Sequence, residues 1–289
     1  MSIIAPYAKE HRDTNGPGDA RPTALKIVRD QSLDGKLGGK VILVTGGTSG
    51  IGFQTVRALH ATGADIYFTG RDTKKGKEAE AELRSDGKAG KLEYVEMGLD
   101  SLRSIRAFAA DFLKRTERKL NILICNAASG HRQSGIRFDD INFDREEEYQ
   151  PLLGYAQSKT ANIYMALEIE RRYGASGVHG LAAHPGGISG TRLNRMTPES
   201  QLNAQVVDPV ISRRMKNAEQ GAATTVWAAI SHNFDEEGGF FLEDCQQSEL
   251  WNGDMTVLAP GHAAHIHDEE SASKLWDVSL EMIGLDKSN

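Results

Sequence analysis

The stretch from Lys40 to Leu59, KVILVTGGTSGIGFQTVRAL, constrains the fold more than any other part of the chain. Four apolar residues, Val41 to Val44, run into Thr45-Gly46-Gly47-Thr48-Ser49-Gly50-Ile51-Gly52, after which Phe53, Val56 and Leu59 fall on one helical face. A strand joined to a helix by so tight a turn is a βα unit. Gly46 lets the chain turn sharply, Gly50 lets backbone approach a pyrophosphate, and Gly52 lets the helix pack closely. The helix start supplies N–H donors and positive potential, so Thr48, Ser49 and Ile51 also belong to a candidate phosphate cradle.

The alternation continues downstream. A second strand at Ala64 to Thr69 precedes a charged helix, a third at Leu92 to Met97 precedes a helix with Leu102, Ile105, Phe108 and Phe112 on one face, and a fourth spans Leu120 to Cys125. Strands this apolar, alternating with helices, imply an α/β fold: a doubly wound parallel sheet of Rossmann type. The expected organisation is an N-terminal leader over residues 1–38, with a short helix at Thr23 to Arg29, and a single domain over 39–289 with a C-terminal helical extension. The 289 residues and 39% apolar content allow one substantial core.

At the end of the second strand stands Gly70-Arg71-Asp72, where an acidic residue would grip an adenosine ribose. Arg71 suits a 2′-phosphate, which favours NADP(H); Asp72 keeps NAD(H) as the alternative. Further on, Tyr155 and Lys159 open a helix running to about Tyr173, and their i, i+4 spacing puts them on one face. A neighbouring ammonium lowers a phenol's pKa, making Tyr155 a usable general acid and base for a carbonyl and its alcohol.

Charge and composition narrow the function. A net charge of −6 gives no basic field for nucleic acid or an anionic membrane surface, and no stretch is apolar for long enough to span a bilayer. A small-molecule role in the cytoplasm is expected. Two cysteines, Cys125 and Cys245, fit a reducing compartment and read as buried packing residues. His262, His265 and His267 lack the ligand spacing of a metal site, so no metal is expected; Asp268-Glu269-Glu270 begins the last helix, with Trp276, Val278, Leu280, Met282 and Ile283 as its apolar set.

The combination of Thr45-Gly46-x-x-x-Gly50-x-Gly52, Cys125-Asn126-Ala127-Ala128, Tyr155-x-x-x-Lys159 and His184-Pro185-Gly186-Gly187-Ile188 resembles the short-chain dehydrogenase/reductase family. Glu219-Gln220-Gly221-Ala222-Ala223, Gly239-Phe240-Phe241-Leu242-Glu243 and Leu275-Trp276 look like its retinol-dehydrogenase-like branch, in a filamentous-fungal flavour. The resemblance implies Tyr155 as the proton donor and acceptor, tuned by Lys159, which also holds the nicotinamide ribose. It implies Asn126 over the cofactor, Pro185, Gly186 and Ile188 beside the nicotinamide, and Ser189 or Thr191 on its amide or the phosphates. The function so implied is an NADP(H)-dependent oxidoreductase interconverting carbonyl and alcohol on an apolar small molecule, in fungal secondary metabolism. A homodimer is compatible with it.

Three positions depart from the family. Gly98 stands where an adenine-contacting Asp is usual, with Asp100 nearby, and Asn121 replaces the Asp that begins the fourth strand. The third departure is large. Residues 129–151, SGHRQSGIRFDDINFDREEEYQP, contain no helical apolar face and no run of four apolar residues, so they read as a polar loop in place of a crossover helix and fifth strand. The family's catalytic Asn and Ser lie in that segment; Ser129 is the nearest stand-in for the Ser. One central strand and its helix are expected to be missing. The fourth and sixth strands must then pair with each other or leave ladder groups open. A degenerate relative that binds nucleotide without efficient catalysis is the alternative.

Overall fold

The computed structural model describes residues 3–125, 131–145, 149–189, 208–254 and 258–285. They fall into two compact units, Lys9–Asn126 with Gly187–Ile230, and Met1–Ala8 with Ala127–Gly186 and Ser231–Asn289.

The first unit is built on a parallel sheet. After α1 (Ala8–Arg12) and α2 (Ala24–Asp30) come β1 (Val41–Thr45), α3 (Gly50–Ala61), β2 (Asp65–Gly70), α4 (Thr73–Arg84), β3 (Leu92–Glu96), α5 (Leu102–Arg115) and β4 (Ile122–Cys125). The strand order is β3-β2-β1-β4, every pair parallel, with Leu43 opposite Tyr67 on one side and Leu123 on the other. Side chains cap the helices: Thr23, Asp72 and Ser101 accept from the N–H groups of Lys26, Lys75 and Ser104. On one face Val41, Leu43, Tyr67 and Met97 bury against Phe108 and Phe112 of α5, with the Tyr67 and Phe112 rings edge to face at 5.2 Å. The opposite set, Ile42, Val44, Ile66 and Phe68, is buried too, which is why these strands read as continuous apolar runs. Asn121 fills the role expected of an Asp, its Oδ1 accepting from the Val41 N–H at 2.9 Å. Later helices α7 (Pro209–Arg214), α8 (Ala218–Gly221) and α9 (Ala223–Ile230) complete this unit, and α2 lies against α3 and α9.

The second unit holds α6 (Pro151–Tyr173), β5 (Ala182–His184), β6 (Phe241–Glu243), β7 (Gln246–Gln247) and α10 (Glu269–Met282). Here β5 pairs with β6 in parallel, and β7 runs antiparallel to β6. Thus β4 and β5 lie in separate sheets. Among the described residues no strand and no α-helix stands between β4 and α6, where only a 3₁₀ turn at His131–Gln133 forms.

Several sequence expectations need correction. The Tyr155 helix starts one turn earlier, with Pro151 at its first position, because proline's fixed φ and missing N–H suit that site. The connection before it is less polar in structure than in sequence. His131 and Asp140 are buried, and Ile136, Phe138 and Ile141 pack on Tyr164, Ala272 and Leu275. Buried Gln157 ties this connection to α6, accepting from the Arg137 N–H and donating to the Ile141 carbonyl, both at 2.9 Å. Thr160 donates to the Ser134 carbonyl at 2.6 Å. On α10 the buried residues are Ala272, Leu275 and Leu280, while Met282 is exposed. Cys245 is buried as expected, but Cys125 is exposed.

Two outcomes are expected. Gln157→Ala leaves a partly buried N–H and a partly buried carbonyl unpaired and should lower unfolding free energy by about 1 kcal/mol in urea titration. His131 packs on the Phe241 ring at 4.7 Å, and burial, with the nearby His184, Arg132, His265 and His262, pushes its pKa down to about 3. An unfolded chain binds that proton near pH ~6.5, so stability should fall as pH drops from there towards 3. In His131→Leu the fall should be shallower over the same window; an unchanged slope would show that His131 does not carry it.

Candidate functional site

The glycine-rich turn joins β1 to α3, and its geometry comes from residues that no side chain could replace. Gly46 and Gly50 have φ of +68° and +57°, the left-handed region that glycine enters without strain, and a Cβ at either would meet nothing within 4 Å. That face of the turn is open. The other side is crowded. A Cβ on Gly47 would stand 2.8 Å from Phe68 Cβ and 2.9 Å from Val56 Cγ2, and one on Gly70 would stand 2.6 Å from Thr48 Cγ2. Gly47 and Gly70 therefore bring β1, β2 and α3 together at the turn, and Gly52 is buried in the first turn of α3. The Gly47 N–H closes the arrangement on the Thr69 carbonyl at 3.0 Å.

Ser49 is the N-cap of α3, yet its side chain makes no capping bond. The first N–H groups of a helix have no intrahelical acceptor, and Ile51 stands among them. At the end of β2 the two charged residues differ in engagement. Asp72 caps α4, its Oδ1 accepting from the Lys75 N–H and its Oδ2 lying 3.3 Å from Lys75 Nζ. Exposed Arg71 forms no ion pair among the described residues. Near β3, Gly98 donates its N–H to Ser104 Oγ at 3.0 Å, and Asp100 is exposed.

In the same unit Ile188 bridges to Lys216: the Lys216 N–H donates to the Gly187 carbonyl at 2.8 Å and the Ser189 N–H to the Lys216 carbonyl at 3.0 Å. The Ser189 hydroxyl also donates to the Lys216 carbonyl. Thr191, Asn126 and Ser129 lie outside the described residues.

The other unit carries the tyrosine and lysine. On α6 the Lys159 ammonium stands 4.9 Å from the centroid of the Tyr155 ring, as their spacing requires. Both are half-buried, and burial pulls the Lys159 pKa below the ordinary lysine value. Gln157 and Thr160 hold the opposite, buried face of the helix to the preceding connection, so the orientation of the Tyr155 face is set by partly buried hydrogen bonds. Gly186, with φ +88°, follows β5 and Pro185 and donates its N–H to His184 Nδ1 at 2.8 Å. Among the described residues no group of three or more His, Cys, Asp or Glu side chains is arranged to hold a metal ion, and no helix is long and apolar enough to cross a membrane.

Residues 40–150 match the family model described as short chain dehydrogenase. A short-chain dehydrogenase/reductase of Penicillium roqueforti, prx1, is 36% identical, the match covering 96% of this chain and 95% of that protein. An oxidoreductase of Penicillium decumbens, calI, is 34% identical over 98% and 99% of the two chains. Retinol dehydrogenase 12 of Mus musculus is 28% identical over 86% and 87%. A solved Mycobacterium paratuberculosis protein superposes with a TM-score of 0.61 at 25% identity, covering 86% of this chain and 95% of that one. The first of these matches runs over 331 aligned positions, more than the 289 residues of this chain, so that relative carries internal residues with no counterpart here.

The crowding at Gly47 generates a test of the turn. Gly47→Ala should lower unfolding free energy by about 1–3 kcal/mol, because Phe68 and Val56 must move aside in a packed layer. Thermal unfolding of the purified variant measures it, and an unchanged midpoint would mean that the layer yields.

Proposed function

Because the chain belongs to the short-chain dehydrogenase/reductase family, we propose that it is an oxidoreductase that uses NADP(H) to interconvert a carbonyl and an alcohol on an apolar small molecule, in fungal secondary metabolism. The observation that carries the reading is Lys159 held over the Tyr155 ring on a helix whose far side is fastened by partly buried hydrogen bonds. The domain behind it is residues 39–289, preceded by the leader 1–38.

The turn fits a nicotinamide dinucleotide. Its open face at Gly46 and Gly50, beside helix N–H groups that Ser49 does not cap, is what a pyrophosphate needs. The same reading assigns Thr48, Ile51 and Gly52 to the phosphate wall and Asn126, Pro185, Gly186, Ile188 and Thr191 to the nicotinamide. Arg71 supports NADP(H) over NAD(H): it is exposed and forms no ion pair among the described residues, whereas Asp72 is committed to the α4 cap. When bound, the cofactor supplies or accepts hydride.

The chain's own residues handle the proton. In the reducing direction the Tyr155 hydroxyl donates to the carbonyl oxygen, and in the oxidising direction the phenolate accepts from the alcohol. The Lys159 charge favours phenolate, and Lys159 also holds the nicotinamide ribose. Ser129 stands in for the serine that would orient the substrate oxygen. Tyr155→Phe should reduce kcat/KM for NADPH-dependent reduction of a ketone panel about a hundredfold or more with NADPH affinity retained. Arg71→Ala should weaken NADPH about tenfold and leave NADH unchanged.

One observation favours a second reading. The P. roqueforti relative carries internal residues absent here, and no strand stands between β4 and α6 among the described residues. In that reading the chain binds nucleotide without efficient turnover. NADPH binding by the wild-type chain with no oxidation across the ketone panel would select it over the first.

A further inference from the structure

The N-terminal leader does more than cover the sheet unit. Arg21 is buried, and its guanidinium closes on the C-terminal end of α7: Nη1 donates to the Arg214 carbonyl at 2.8 Å, and Nη2 to the carbonyls of Met215 at 2.6 Å, Arg213 at 3.4 Å and Gly16 at 3.1 Å. A planar fork of donors on carbonyls that a helix end leaves unpaired is a strong arrangement, since the cation also meets the negative end of the backbone dipoles. Arg21 Nε is held in turn by Asp19 Oδ1 at 2.8 Å. Burial alone would raise the Asp19 pKa, but hydrogen bonds from Arg21 and from the Asn15 and Arg21 N–H groups hold it below the ordinary value.

A second link runs through Gln220, which is buried in α8. Its Oε1 accepts from the Gly18 N–H at 2.9 Å and from the Asn217 N–H at 3.2 Å, and its Nε2 donates to Asp19 Oδ1 at 2.9 Å. Asn217 Oδ1 accepts from the Gln220 N–H, which completes a capping box. One side chain thus ties the leader to the first turn of α8, some 200 residues away in sequence.

What α8 does next is visible at Gly221. A Cβ there would stand 2.5 Å from Ile188 Cδ1 and 3.4 Å from Ile51 Cγ1. Gly221 lets α8 wedge against Ile51 of the glycine-rich turn and Ile188 of the loop after β5, while Lys216, between the two leader contacts, bridges to Ile188 through backbone. We propose that Arg21, Asp19 and Gln220 are positioning residues of the cofactor site: the leader clamps residues 213–221, and these fix how the nicotinamide-side loop at Ile188 lies against the phosphate turn at Ile51. This rests on the cofactor reading given above. Arg21 touches no reacting atom, so its removal acts on how far the two halves of the cofactor can be held at once.

The test compares a whole cofactor with half of one. Wild type, Arg21→Lys, Arg21→Ala and Gln220→Ala are titrated with NADPH and with 2′,5′-ADP, which occupies only the phosphate and adenosine half, and amide exchange is followed at Ser189, Lys216, Gly16 and Gly18. Arg21→Ala should weaken NADPH about tenfold or more, leave 2′,5′-ADP unchanged, and speed exchange at Ser189 and Lys216 while the β1–β3 amides stay protected. Arg21→Lys should fall between, because an ammonium keeps the charge and loses the fork. Equal loss of NADPH and 2′,5′-ADP, or exchange at Ser189 and Lys216 unchanged from wild type, overturns the positioning role. If Arg21→Ala does not fold, Gln220→Ala cuts the second link alone and carries the same comparison. A wild-type chain that binds neither ligand overturns the cofactor reading and this role together; a wild type that binds NADPH beside an Arg21→Ala variant that binds it equally overturns the role alone.

Discussion

The missing Cβ at Gly47 is the constraint on which the arrangement around the turn depends. With hydrogen at that position, the end of β1 can lie against Phe68 of β2 and Val56 of α3 at once, and Gly70 takes Thr48 into the end of β2 in the same way. A methyl at either place would push a strand or the helix outward, in a layer packed as densely as an organic crystal. The open side at Gly46 and Gly50 belongs to the same turn as this full side. Burial and exposure at this turn are two faces of one steric arrangement.

The parallel sheet was legible in the sequence because its signals are local. Apolar runs and a helical period suffice to place β1 to β3 and α3 to α5, and fixed spacing alone put Tyr155 and Lys159 on one helix face. Residues whose roles depend on distant neighbours were not legible. Gly47 and Gly70 look like any turn glycines until Phe68 and Thr48 are placed beside them. Arg21 and Gln220 meet across most of the chain length, with no periodic pattern to announce it. The segment before α6 was legible as a loop, but not the part-burial of Ile136, Phe138 and Ile141, which pack on Tyr164, Ala272 and Leu275 without forming a regular apolar pattern.

That segment also bears on the chemistry. The Arg137 N–H and the Ile141 and Ser134 carbonyls of that segment are paired on α6 through Gln157 and Thr160, which fastens the helix that carries Tyr155. What a longer connection would add is backbone partners along the second edge of β4, which carries no strand among the described residues. Both functional readings therefore share the same helix and the same turn.

Asn121 shows what a small departure from a family pattern can change. Its amide oxygen accepts the Val41 N–H at the start of the sheet, the geometry a carboxylate would give, without a charge to desolvate and without a proton to gain. The alignment of β4 beside β1 is thereby uncoupled from acidity. A carboxylate in its place would make the register of the edge strand a function of the medium, whereas an amide makes it a fixed property of the covalent chain.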